Sequence, residues 1–141
     1  MKKIALLMLA ALPLLFVLIS YSAAQGPTPR PDFAIACEPN TLTTHAGTPV
    51  LFTGGSITSI NHFAGTIELA CATAAPGLVC SVPGTTKLGA DQKASFAIYA
   101  TPGLTTVPGT YPIIIGATGI PSTPEGKVSH STVVYLTVEA R

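Results

Sequence analysis

The chain reads as all-β: an antiparallel β-sandwich of seven or eight strands behind a cleaved signal peptide. Three observations predict this. Beyond residue 31, apolar and polar residues alternate in short runs, and no segment of useful length carries the helical period. Glycine and proline, 13 of each in 141 residues, punctuate those runs at regular intervals. Runs this short bury one face each, so two facing sheets are the economical packing.

Residues 1–24 come first in the chain and give its address. Lys2 and Lys3 make a positive start, residues 4–19 are almost unbroken apolar, and Ser22-Ala23-Ala24 supplies small residues for a peptidase. As a helix, that apolar run spans roughly 24 Å, short of the roughly 30 Å hydrocarbon core, and Pro13 would kink it. Cleavage after Ala24 is therefore preferred over a retained anchor. The exported chain is expected to be secreted or held at the cell surface, with no membrane span left after cleavage. Its last residues, Val138-Glu139-Ala140-Arg141, form no apolar tail.

The mature residues 25–141 amount to one ordinary domain. Without Lys2 and Lys3, five basic side chains (Arg30, Lys87, Lys93, Lys127 and Arg141) face six acidic ones, a balance near −1. Those cations are scattered, so no basic patch exists to displace counterions from phosphates, and nucleic acid is excluded as a partner. So few charges repel neighbours weakly, which suits assembly or tethering.

Residues 25–31 hold three prolines in five positions and form a stiff linker. Phe33, Ile35 and Cys37 then share one face of a first strand, which Glu38-Pro39-Asn40 ends. Ala46-Gly47 turns the chain into a long strand over about residues 48–60. Phe52 and Ile57 lie five apart, so a regular strand would send them to opposite faces. A bulge at Gly54-Gly55 would restore both to the core, the alternative being that Phe52 faces a loop. Residues 61–65 connect to a strand with Ile67, Leu69 and Cys71 on one face and Thr66 and Glu68 on the other. Ala75-Pro76-Gly77 leads into Leu78, Cys80 and Val82, and Pro83-Gly84 breaks the chain again. Phe96, Ile98 and Ala100 alternate with Ser95, Ala97 and Tyr99. Pro108-Gly109 precedes Tyr111, Ile113, Ile115 and Ala117, with Tyr111 placed to tie a loop backbone through its hydroxyl. A loop over residues 119–127 leads to the last strand, with Val134, Leu136 and Val138 inward and Val133, Tyr135 and Thr137 outward.

The order Asp32-Phe33-Ala34-Ile35, Asn61-His62-Phe63-Ala64-Gly65-Thr66-Ile67, Pro76-Gly77-Leu78-Val79-Cys80-Ser81, Pro108-Gly109-Thr110-Tyr111, Ser129-His130-Ser131-Thr132 and Leu136-Thr137-Val138 resembles bacterial and archaeal immunoglobulin-like repeat domains. The likeness runs over about residues 32–138. It implies a spacer, adhesive module or assembly unit without catalytic residues. The chain departs from it in carrying one copy and a third cysteine, and it has no Trp for a Cys…Trp…Cys core.

Three cysteines allow three single pairings. Cys71 and Cys80 flank the turn where the resembled domains often carry a pair, and this pairing is expected over Cys37–Cys71 or Cys37–Cys80. Cys37 is then a free thiol, as a small core residue or, alternatively, in an intermolecular disulfide. No sequence neighbour activates it as a nucleophile.

Active-site chemistry finds no constellation. His45, His62 and His130 lack ligand spacing, the six carboxylates are isolated, and no Gly-x-Ser-x-Gly elbow or phosphate loop occurs. The chain is expected to be no enzyme and to need no metal or cofactor. Ile114, Val133 and Tyr135 fall on the outward phase of late strands and form a candidate interaction patch, unless a neighbouring loop covers them. The functional expectation is a secreted structural or adhesive module at the cell surface that meets protein partners or itself, as in a filament or surface layer. A strand donated into an open sheet edge is one route to such assembly, but the prolines of residues 25–31 lack N–H groups and argue against that segment as donor. The alternative is a carbohydrate- or ligand-binding accessory domain.

Overall fold

The computed structural model describes residues 26–141, so the proposed signal peptide lies outside the described residues. Residues 26–31 have no regular secondary structure. Nine strands follow: β1 (Asp32–Cys37), β2 (Thr41–His45), β3 (Val50–Ile60), β4 (Gly65–Thr73), β5 (Leu78–Ser81), β6 (Thr85–Leu88), β7 (Lys93–Pro102), β8 (Gly109–Pro121) and β9 (Val128–Glu139). No described helix is long and apolar enough to cross a membrane.

The strands form two sheets. A four-stranded sheet runs β1-β3-β7-β5 and a five-stranded one β2-β9-β8-β4-β6. This is the expected sandwich, with nine strands against the expected seven or eight. The additions, β2 and β6, are edge strands of five and four residues. Each turns one apolar side chain toward the core, Leu42 and Leu88, so neither shows a readable alternation. β2 also departs from the antiparallel expectation: it lies parallel to β9, Thr41 opposite Tyr135 through His45 opposite Glu139. The chain reaches it by crossing from one sheet to the other at Glu38-Pro39-Asn40. β8 runs on to Pro121, further than the sequence indicated.

Between the sheets lie Phe33, Ile57, Phe63, Ile67, Ile98, Ile113, Ile115, Val134, Leu136 and Val138, all essentially inaccessible to water. Full burial of one such side chain is worth about 1.5–3 kcal/mol. Phe33 and Phe63 pack tilted with ring centroids 5.4 Å apart. Gly119 makes room for them, since a Cβ there would stand 2.6 Å from Phe33 Cε1 and 2.8 Å from Phe63 Cζ.

The bulge sits where Gly54-Gly55 predicts it. Phe52 opposes Ile98 and Gly55 opposes Phe96, so β3 gains one residue on β7. That slip turns both Phe52 and Ile57 inward. A Cβ at Gly54 would collide with the Glu38 carbonyl oxygen, and one at Gly55 would stand 2.6 Å from the Phe96 ring. The Tyr111 hydroxyl donates to the Val107 carbonyl at 2.6 Å, tying the loop before β8.

Candidate interaction surfaces

Strand phase decides what the outer faces carry. On the five-stranded sheet, Ile114 of β8 stands directly opposite Val133 of β9, and Tyr135 stands opposite Pro112. Ala72 of β4 flanks Ile114 on its other side, and Thr41 of β2 flanks Tyr135. Ile114 is 48% exposed, Tyr135 43%, and Val133 is half-buried. The three residues are thus neighbours on one face. A cross-strand pair of this kind holds its own side chains at fixed spacing and leaves their outer surface free to pack on another molecule.

A second cluster, on the four-stranded sheet, was not singled out in the sequence. Leu51 of β3 stands opposite Tyr99 of β7, and Val79 of β5 stands opposite Thr101, one residue pair along. All three are at least half exposed, and Leu104 and Val107 in the loop after β7 are more so. Tyr99 and Val79 carry the outward phase in the sequence. Only the bulged register, however, brings Leu51 opposite Tyr99.

The cysteines divide as the strands do. Cys71 of β4 is joined to Cys80 of β5, with Cα atoms 6.1 Å apart, so the bridge links the two sheets. Cys37 is a free thiol, 5% exposed. Burial pushes its pKa from 9.0 up to about 11, away from the thiolate that a nucleophile or a metal ligand needs.

Each histidine faces one carboxylate. His62 Nδ1 lies 2.7 Å from Asp91, His130 Nε2 lies 2.7 Å from Asp32, and His45 lies 3.9 Å from Glu139. The three pairs sit apart from one another, and among the described residues no group of three or more His, Cys, Asp or Glu could hold a metal ion. The Asp32 carboxylate also accepts the Phe33 N–H at 2.7 Å, and the His130 ring meets Phe33 edge-on, with centroids 5.0 Å apart. These contacts close one corner of the sandwich between β1 and β9. The histidines show no ligand spacing in the sequence, and their acidic partners, 29 residues away for His62 and 98 for His130, could not be read from it.

No protein-family model matches the chain, and no curated protein matches it. Solved structures do. A PapD-like domain of human CEP192 aligns over 77% of this chain and 86% of its own at 15% identity, with a TM-score of 0.52. AggA, the major subunit of aggregative adherence fimbriae type I from Escherichia coli, aligns over 80% and 98% at 19% identity, TM-score 0.50. A family 123 glycoside hydrolase from Clostridium perfringens shares 11% identity over 72% of this chain, TM-score 0.54, but this covers only 22% of the enzyme. The fold is that of immunoglobulin-like and PapD-like β-sandwiches.

Proposed function

We propose that the exported chain is a non-enzymatic immunoglobulin-like module that works at the cell surface through protein contacts, copies of itself included, as the subunit of a filament or surface layer. The observation that carries this reading is the apolar cross-strand patch of Ile114, Val133 and Tyr135, standing on a sheet face of a sparsely charged molecule. Association buries such a patch with little charge desolvation to offset it. The order of motifs shared with bacterial and archaeal immunoglobulin-like repeats supports the reading. So does the likeness of fold to a fimbrial major subunit.

The test is the mass of the purified mature chain, followed by light scattering over a range of concentrations. The expected result is a population of multimers that grows with concentration and shrinks when Ile114→Ser and Tyr135→Ser are combined. Both side chains are exposed, so the double variant keeps its melting temperature. A monomer indifferent to concentration that also retains no protein partner from the native cell surface would overturn the proposal.

A further inference from the structure

We infer that residues 128–134 of β9 form an acceptor edge for an added β-strand, and that residues 26–31 of a second copy supply that strand. The inference rests on the self-assembly proposed above and names its mechanism.

β2 covers only the second half of β9, from Tyr135 to Glu139. The Tyr135 N–H donates to the Asn40 carbonyl at 2.8 Å. Main-chain groups in a strand alternate in direction, so the odd residues of β9 turn theirs to this side. Ser129, Ser131 and Val133 therefore present three N–H and three C=O groups, and no strand pairs with them there among the described residues.

Among the described residues, every complete edge strand is guarded. β1 lies between Pro31 and Pro39, and Asp32 caps its Phe33 N–H. β2 lies between Pro39 and Pro49, β5 between Pro76 and Pro83, and β6 follows Pro83 and carries Lys87. Short length, proline and lysine are the usual devices against edge pairing. Residues 128–134 have no proline, no lysine and no formal charge apart from His130, which Asp32 engages. At the Thr132–Val133 end of this edge lies a groove of about 490 Å³ whose other walls include Ile35 and Cys37.

The prolines of residues 26–31 suit this edge instead of barring the segment from it. They occupy positions 27, 29 and 31, alternate residues of an extended chain. Gly26, Thr28 and Arg30 then direct all their N–H and C=O groups to one side, and the prolines direct their missing N–H to the other. This is a strand that pairs on one side only, an arrangement in which proline costs a ladder nothing. Three donor residues meet three acceptor residues. In antiparallel pairing, opposite residues share a face: Gly26, Thr28 and Arg30 face solvent with Val133, Ser131 and Ser129, and the Pro27 ring, opposite Thr132, turns into the groove. Parallel pairing would turn Arg30 into it instead.

The donor comes from another copy. β1 and β9 run the same way, with Asp32 beside His130 and Ile35 and Cys37 beside Thr132 and Val133. The chain upstream of Asp32 therefore runs off the start of the edge, beside Val128 and on toward Glu125, and the Asn61 amide holds the Arg30 carbonyl at 3.0 Å. Donation between copies is head-to-tail, the contact type that grows open filaments.

The test uses the mature chain, residues 25–141, with two variants. Thr28→Pro with Pro29→Thr keeps the proline count but moves one into the pairing phase. Ser131→Pro removes an N–H donor of the acceptor edge that β8 does not use. Should that variant fail to fold, Ser129→Pro, nearer the start of β9 and outside the apolar patch, replaces it. Each variant alone is expected to stay monomeric with an unchanged melting temperature, Pro29→Ala is expected to assemble, and an equal mixture of the two variants is expected to give one species of twice the monomer mass. Assembly of both variants like the parent chain overturns the strand mechanism and leaves the self-assembly reading standing. A parent chain that is monomeric at every concentration overturns both.

Discussion

Replacing Cys71 and Cys80 together by serine tests the inter-sheet bridge and gives a number. The two cysteines are nine apart, so the bond closes a loop of about ten residues. On the chain-entropy account, such a loop lowers the entropy of the unfolded chain by about 9 cal/mol/K, or about 2.7 kcal/mol at 25 °C. Both side chains are only half-buried, so serine leaves little cavity to add to this. A domain of this length has an unfolding entropy of about 0.23 kcal/mol/K near its midpoint, which converts the loss to a melting point lower by about 12 °C. Differential scanning calorimetry of parent and double variant measures it directly. The loss should also be local in its first effects. β5 is a four-residue edge strand that pairs only with β7, so its amides should exchange first in the variant. A shift under about 4 °C, with β5 amides as protected as before, would refute the claim that this bond holds the two sheets together.

Further outcomes follow from single contacts. Gly119→Ala drives a methyl between Phe33 and Phe63 and should cost about 1–3 kcal/mol, whereas Gly126→Ala, with open space around it, should leave the denaturation midpoint unchanged. Tyr111→Phe removes the bond to the Val107 carbonyl and should cost about 1 kcal/mol in the same urea titration. Cys37 should resist a thiol reagent at pH 8 in the native protein and react fully in denaturant. Its raised pKa means the folded state holds the proton more tightly, so its contribution to stability is complete below pH 9 and is lost as pH rises toward 11. A pH-stability curve for parent and Cys37→Ala should diverge in that window.

Side-chain period, a local property, made much of the sandwich legible. Ile67 with Leu69, Phe96 with Ile98 and Val134 with Leu136 announce half-buried strands wherever they occur, because alternate residues of a strand share a face. Even the bulge was readable, since Phe52 and Ile57 could both be buried only if the phase slipped at the two glycines between them. β2 and β6 were not readable, because an edge strand with one inward apolar residue leaves almost no periodic trace. Of the interaction surface, Ile114, Val133 and Tyr135 could be grouped as one outward patch on late strands, while the register that sets Ile114 opposite Val133 came from the fold. Leu51 and Tyr99 could not be brought together at all, because their register depends on the bulge.

The amino-acid order alone settled the all-β class, the inward and outward set of each long strand, and the one-sided rhythm of the prolines at 27, 29 and 31, since each depends on residues a few places apart. Pairing across the chain was left to the tertiary structure: that β2 lies parallel to β9 and stops halfway, that Asp32 reaches His130, and that among the described residues no strand pairs with the β2 side of residues 128–134. Those facts join segments up to 98 residues apart, where the sum of all the packing, and no local preference, selects the partner.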